Sequence, residues 1–227
     1  MAGDNVMKKQ SDEKAVSHVE IIGGADGPTS VFIVGKKHGK ATLKQIIYKS
    51  LYAKRKKRVI KSIKANPHSM DEVIEYTKTK WGFSETDRDT VEFQTEYREL
   101  RASFLLQYNP KLLGDLAEFP ELENHSADAV KAFMEQMDKR KKAAEEISKE
   151  LFDIELCILE RRENDVCSKI IIEKKYGYIG GSASGTKNVK TFNKIFRDIY
   201  KYYGVSQEDI DKKTKRYEEL IRTLAKR

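Results

Sequence analysis

Cysteine is nearly missing from this chain. Cys157 and Cys167 are the only two in 227 residues, which excludes a disulfide framework and makes two buried, reduced thiols the expectation. Histidine is also scarce. His18, His38, His68 and His125 lie far apart, and none stands at metal-ligand spacing from a cysteine or a second histidine. No metal or cofactor is therefore expected. No uncharged apolar run approaches the roughly 18–20 residues of a membrane helix, and the N-terminus lacks the apolar centre of a signal peptide. The expectation is a soluble, cytoplasmic, bacterial protein without membrane insertion. A nucleophile elbow is missing too: Gly181-Ser182-Ala183-Ser184-Gly185 places serines at both ends of the interval and none at its centre. Paired carboxylates such as Glu145-Glu146 read as solvated helix surface. Without a visible catalytic set, non-enzymatic binding is the expected mode of action.

Acidic residues are absent from Lys36 to Lys64, and this absence says the most. The segment holds twelve Lys/Arg, so of the net +8 it carries +12 and leaves −4 for everything else. A mildly acidic body bearing one basic element suggests a local anionic partner, either nucleic acid or an acidic protein. Residues 41–64 lack glycine and proline and read as a helix that Asn66-Pro67 ends. Lys54, Arg55, Lys56, Lys57 and Arg58 are consecutive, so they project around the whole circumference. With Lys44 and Lys61 they are the candidate polyanion contacts, and Tyr48 and Tyr52, one turn apart, are candidates for stacking on bases. The apolar stripe Leu43, Ile46, Ile47, Leu51 is out of phase with Val59 and Ile63, as in a helix that leaves the body or kinks. Two other readings stay open. The charges belong to a surface helix balanced by carboxylates from 71–99 or 145–163, or the helix attaches to a membrane surface, against which the lack of adjacent Trp or Phe counts.

The remaining pattern gives an α+β protein. Residues 1–17 are polar and aperiodic and read as a disordered tail; 18–227 read as a single domain. Residues 18–22 and 30–34 suggest an N-terminal hairpin. Ser69-x-x-Glu72 is a capping box opening a helix through Lys80, closed by Trp81-Gly82. Ser84-x-x-Asp87 is expected to open the next helix, with Phe93, Tyr97, Leu100, Phe104 and Tyr108 on one face and Asn109-Pro110 as its stop. Residues 111–124 read as a connector with a short turn. Ser126 begins a helix with Val130, Phe133, Met134, Met137, Ala144, Ile147 and Leu151 on one side. Three strands follow at 152–159, 166–174 and 176–182, then a helix from Val189 to Gly204 and a last one opened by Ser206-x-x-Asp209. Clustered strands predict a mainly antiparallel sheet of about five, in which the N-terminal hairpin joins the three C-terminal strands, with about six helices.

Two glycine-rich segments complete the candidates. Gly23, Gly24, Asp26, Gly27, Thr29 and Ser30 form a dense turn between apolar runs, read as a tight hairpin loop or as a ligand contact. Gly23 to Thr29, GGADGPT, resembles the motif of the β subunit of sodium-translocating, oxaloacetate-type decarboxylases, the biotin-dependent membrane pumps. The resemblance implies that Asp26 is a sodium-site carboxylate. It covers some sixteen residues, and the rest of the chain departs from that long polytopic family. The second segment, Gly180 to Lys187, follows a strand and opens a helix. It offers Gly181, Ser182, Ser184, Thr186 and Lys187 as an anion nest for a small phosphorylated ligand, or a strand end beside a packed helix. Lys and Thr stand in the reverse of the triphosphate-loop order, which argues against a triphosphatase. A protein–protein regulator fits the long helices as well.

Overall fold

The computed structural model describes residues 43–121, 126–163, 166–184 and 189–226, with the side chains of Lys44 and Val166 left out of account. Within them the chain runs α1 (Leu43–Ser62), α2 (Met70–Trp81), β1 (Ser84–Glu85), α3 (Val91–Tyr108), a 3₁₀ segment (Pro110–Leu116), α4 (Ala127–Glu146), β2 (Leu156–Glu163), β3 (Val166–Glu173), β4 (Tyr178–Ala183), α5 (Val189–Tyr203), α6 (Gln207–Lys212) and α7 (Lys215–Ala225). The sheet is antiparallel throughout, in the order β1-β2-β3-β4, so the fold is α+β.

The strand sequences explain the layering. Leu156, Cys157, Ile158 and Leu159 are all buried, because helices cover both faces of the sheet. Alternate side chains enter opposite cores. Cys157, Leu159, Ile170, Ile172 and Ile179 meet α2, α5 and α7, whereas Leu156, Ile158, Ile171 and Tyr178 meet α3 and the end of α4. Burial pushes the Cys157 thiol up to about 12, which keeps it protonated and unreactive. Cys167 is half-buried, not buried as expected, because it lies toward the open end of the β3 ladder.

Local chemistry sets most boundaries. Ser69 and Glu72 form the capping box of α2, and Gly82 closes it at φ 68°. Ser126 caps α4 through Ala129 N–H, and Asn109 closes α3. Four expectations need correction. Ser84 does not open a helix: Ser84 and Glu85 pair with Glu160 and Leu159 as an edge strand, and Thr90 caps α3 instead, accepting from Phe93 N–H. The helix that starts after Ser126 stops at Glu146, so Leu151 lies beyond it and is exposed. The first C-terminal strand begins at Leu156, not residue 152. The last helix is two: Lys213 takes a left-handed φ of 51° and Thr214 starts α7 afresh. The N-terminal hairpin and the 1–17 tail lie outside the described residues, and among these the fourth strand is β1.

A tight junction fixes α1 against the C-terminus of α5. Asn66 N–H donates to Val205 O at 3.0 Å and His68 N–H to Tyr203 O at 3.1 Å. His68 Nδ1 contacts Tyr202 O at 2.6 Å, and since a carbonyl only accepts, that nitrogen carries the proton. The His68, Tyr202 and Tyr76 rings stack with centroids 3.9 and 3.8 Å apart. Arg216 lies 3.7 Å over the Tyr203 ring and donates to the carbonyls of Gly204, His68 and Tyr203. Gly204 sits at φ 58°, where a Cβ would stand 1.9 Å from Asn66 O. Only glycine permits this approach.

Candidate polyanion interface

Among the described side chains of α1, burial falls from Tyr52 onward. Tyr52, Arg55, Val59 and Ile63 recur at i, i+3, i+7 and i+11 and are the half-buried positions of the helix and its exit, with Val59 and Ile63 packed on the core shared with α7. The earlier stripe is out of phase and exposed: Leu43 at 78%, Ile46 at 52%, Ile47 at 57% and Leu51 at 45%. The phase shift in the sequence is therefore the point at which the helix meets the body.

Among the described residues, no carboxylate pairs with the α1 cations from Lys54 to Lys61. Lys54, Lys56, Lys57, Arg58 and Lys61 are exposed and Arg55 is half-buried. The ion pairs among the described residues involve none of them. Tyr48 is exposed and Tyr52, one turn on, is half-buried. Lys44 lies in the first turn of α1.

Beside the end of α1 lies a groove of about 530 Å³ that the sequence reading missed. Val59 and Ser62 line it from α1, Lys80 and Trp81 from α2, Leu224 from α7, and Lys194, Arg197, Asp198 and Lys201 from α5. Asp198 organises one wall. Its carboxylate accepts from Tyr76 Oη at 2.7 Å and Trp81 Nε1 at 3.0 Å, and pairs with Lys80 Nζ at 2.9 Å. Burial pushes the Asp198 carboxyl up, but the bonds from Lys80, Tyr76 and Trp81 together outweigh it and hold the group below the usual carboxylate range. The bond to Tyr76 and the Asp198 contact hold Lys80 above the ordinary lysine range, so it stays charged. One signal of the groove was available beforehand: Lys190, Lys194, Arg197 and Lys201 recur at helical spacing.

The other candidates fall elsewhere. Gly180 and Gly181 belong to strand β4. A Cβ on Gly181 would meet Phe192 at 2.8 Å and Lys169 O at 2.9 Å, so its lack of a side chain serves the close packing of α5 on the sheet. The Ser184 hydroxyl accepts from Cys167 N–H at 3.0 Å, and Ser182 is exposed. Thr186 and Lys187 lie outside the described residues, as do Gly23, Gly24, Asp26, Gly27, Thr29 and Ser30, the whole pump-like motif. Among the described residues no cluster of three or more His, Cys, Asp or Glu could hold a metal ion, and no helix is long and apolar enough to cross a membrane. Comparison with protein-family models, with curated proteins and with solved structures finds no match to this chain.

Proposed function

We propose that this protein acts by binding a polyanion, with nucleic acid as the partner and the basic helix α1 as the principal contact. The observation that carries the reading is the run Lys54 to Arg58, exposed except for half-buried Arg55 and without a carboxylate partner among the described residues. Eight Lys/Arg and no Asp or Glu in the twenty residues of α1 create a concentrated positive potential. An internally balanced surface helix would show those side chains engaged by carboxylates of 71–99 or 145–163. Three of those acids have other partners: Glu96 and Glu160 meet Lys169, and Asp71 meets Lys174. Neutralising phosphates with α1 would release condensed counterions, so binding would be steeply salt-dependent. Fluorescence anisotropy of a labelled oligonucleotide, titrated at several salt concentrations, tests this. The expected result is tight binding at low salt and a steep negative slope of log affinity on log salt. A flat slope, or no binding at low salt, overturns the proposal.

A further inference from the structure

The groove extends the α1 interface and selects the form of nucleic acid, an inference that rests on the reading of α1 above. Lys190, Lys194, Arg197 and Lys201 lie at i, i+4, i+7 and i+11 of α5, opposite the buried Phe192, Ile195, Ile199 and Tyr203. They form one stripe about 16 Å long at ~1.5 Å per residue. Lys190, Lys194 and Lys201 are exposed. Arg197 is held in place by donating from Nε to Asn193 O at 3.1 Å and from Nη1 to Lys226 O at 3.4 Å. On α1, Arg55 and Arg58 stand one turn before the lining residues Val59 and Ser62 and on the same face of the helix. Three residues of the stripe, Lys194, Arg197 and Lys201, thus line one cleft with the end of α1. Its single carboxylate, Asp198, is already neutralised by Lys80 and two further donors.

We propose that this cleft binds single-stranded nucleic acid, with the phosphates along Lys194, Arg197 and Lys201, the bases toward Trp81, and the strand continuing past Val59 and Ser62 to Arg55 and Arg58 of α1. Charge complementarity selects a polyanion. A single strand, unlike a duplex with its bases paired and stacked inside, offers bases free to lie on an aromatic ring. An indole in the wall supplies the π-face that single-strand sites combine with a basic track. Asp198 acts here as a positioning residue, because it holds Lys80 and Trp81 at the rim.

Trp81 is the only tryptophan of the chain, so its emission reports on the cleft directly. The test titrates the full-length protein with oligothymidylate, following Trp81 emission and, separately, the anisotropy of labelled oligothymidylate. Quenching of Trp81 that saturates with the anisotropy change is the expected result. The double variant Lys194→Glu, Lys201→Glu, at two exposed positions, should keep its melting temperature and lose the quenching. Its affinity should fall about tenfold or more, with the salt slope reduced by about 1.4 for two lost contacts. Anisotropic binding that leaves Trp81 emission unmoved overturns the cleft assignment while sparing α1. Absence of binding at low salt sinks both. A duplex that quenches as strongly overturns the single-strand choice, and polyglutamate that displaces the oligonucleotide at equal charge overturns the choice of nucleic acid. The wild-type quenching decides the matter even where the double variant fails to fold.

Discussion

Helices α1 and α4 are each twenty residues long and each rich in lysine, yet they handle charge in opposite ways. In α4 five cations, Lys131, Lys139, Arg140, Lys141 and Lys142, share the helix with five acids, Asp128, Glu135, Asp138, Glu145 and Glu146. Arg140 turns inward to the carbonyls of Leu116 and Ala117, and Lys141 lies within 4 Å of Glu99 and Glu145. Around it Arg101 is buried on the carbonyls of Phe152, Glu145 and Ile147. The α3–α4 side of the sheet therefore uses Arg101, Arg140 and Lys141 as internal fasteners. On the α1–α5 side, eight cations of α1 meet no acid on their own helix, and the α5 stripe adds four more beside one aspartate. The difference teaches that net charge is a poor guide to partners here. What matters is which positive groups the fold has left unspent.

The comparison breaks most completely if the junction holding α1 to α5 is lost. Gly204→Ala would force a Cβ into Asn66 O and should cost about 4 kcal/mol or more, lowering the melting temperature by more than about 10 °C. Next comes a change remote from the interface. Glu173 is fully buried and accepts from the backbone N–H groups of Glu155, Lys175 and Tyr176. Glu173→Ala strands all three donors and should cost about 3 kcal/mol in denaturant unfolding, with oligonucleotide affinity per folded molecule unchanged.

Replacing Lys54, Arg55, Lys56, Lys57 and Arg58 together by glutamine should do the reverse. Affinity at moderate salt should fall about 100-fold and the salt slope flatten by about 3.5, while the melting temperature hardly moves. Equal loss on removing the exposed Lys131, Lys139 and Lys142 of α4 would erase the distinction between the two sides.

The smallest effect concerns pH. The Asp198 carboxyl is held below its ordinary value, so its contribution is fully present above the unfolded value of about 3.9 and disappears as pH falls through the lower folded value. Asp198→Asn should cost about 1–2 kcal/mol at neutral pH, and the gap in melting temperature from the wild type should close below about pH 4. A gap that persists in acid would show that Asp198 acts by packing and not by charge.

Much of the fold was legible because its signals are local. The Ser69–Glu72 box, Gly82, Asn109-Pro110, Ser126 and Gly204 each mark a boundary by chemistry within one turn of the chain. What escaped was set at a distance or by a side-chain bond that no residue type announces. Ser84-Glu85 became a strand because β2 offers it an edge more than seventy residues away. Lys213 broke the last helix without a glycine, since Asp209 bonds the Thr214 hydroxyl and pins the turn. The same division runs through the candidate site. The α1 charge run is contiguous and visible, whereas the groove depends on Asp198 reaching Trp81 across 117 positions, a pairing no spacing rule encodes. The α5 stripe sits between these cases: its period was readable, but its place beside α1 was not.

Lysine acetylation followed by peptide mass spectrometry, with and without saturating oligothymidylate, tests the asymmetry of the two sides without altering a residue. Bound oligonucleotide should protect Lys54, Lys56, Lys57, Lys194 and Lys201 and leave Lys131, Lys139 and Lys142 as reactive as before. Uniform protection across both sets, or protection confined to α4, would contradict the claim that the α1–α5 face holds the polyanion.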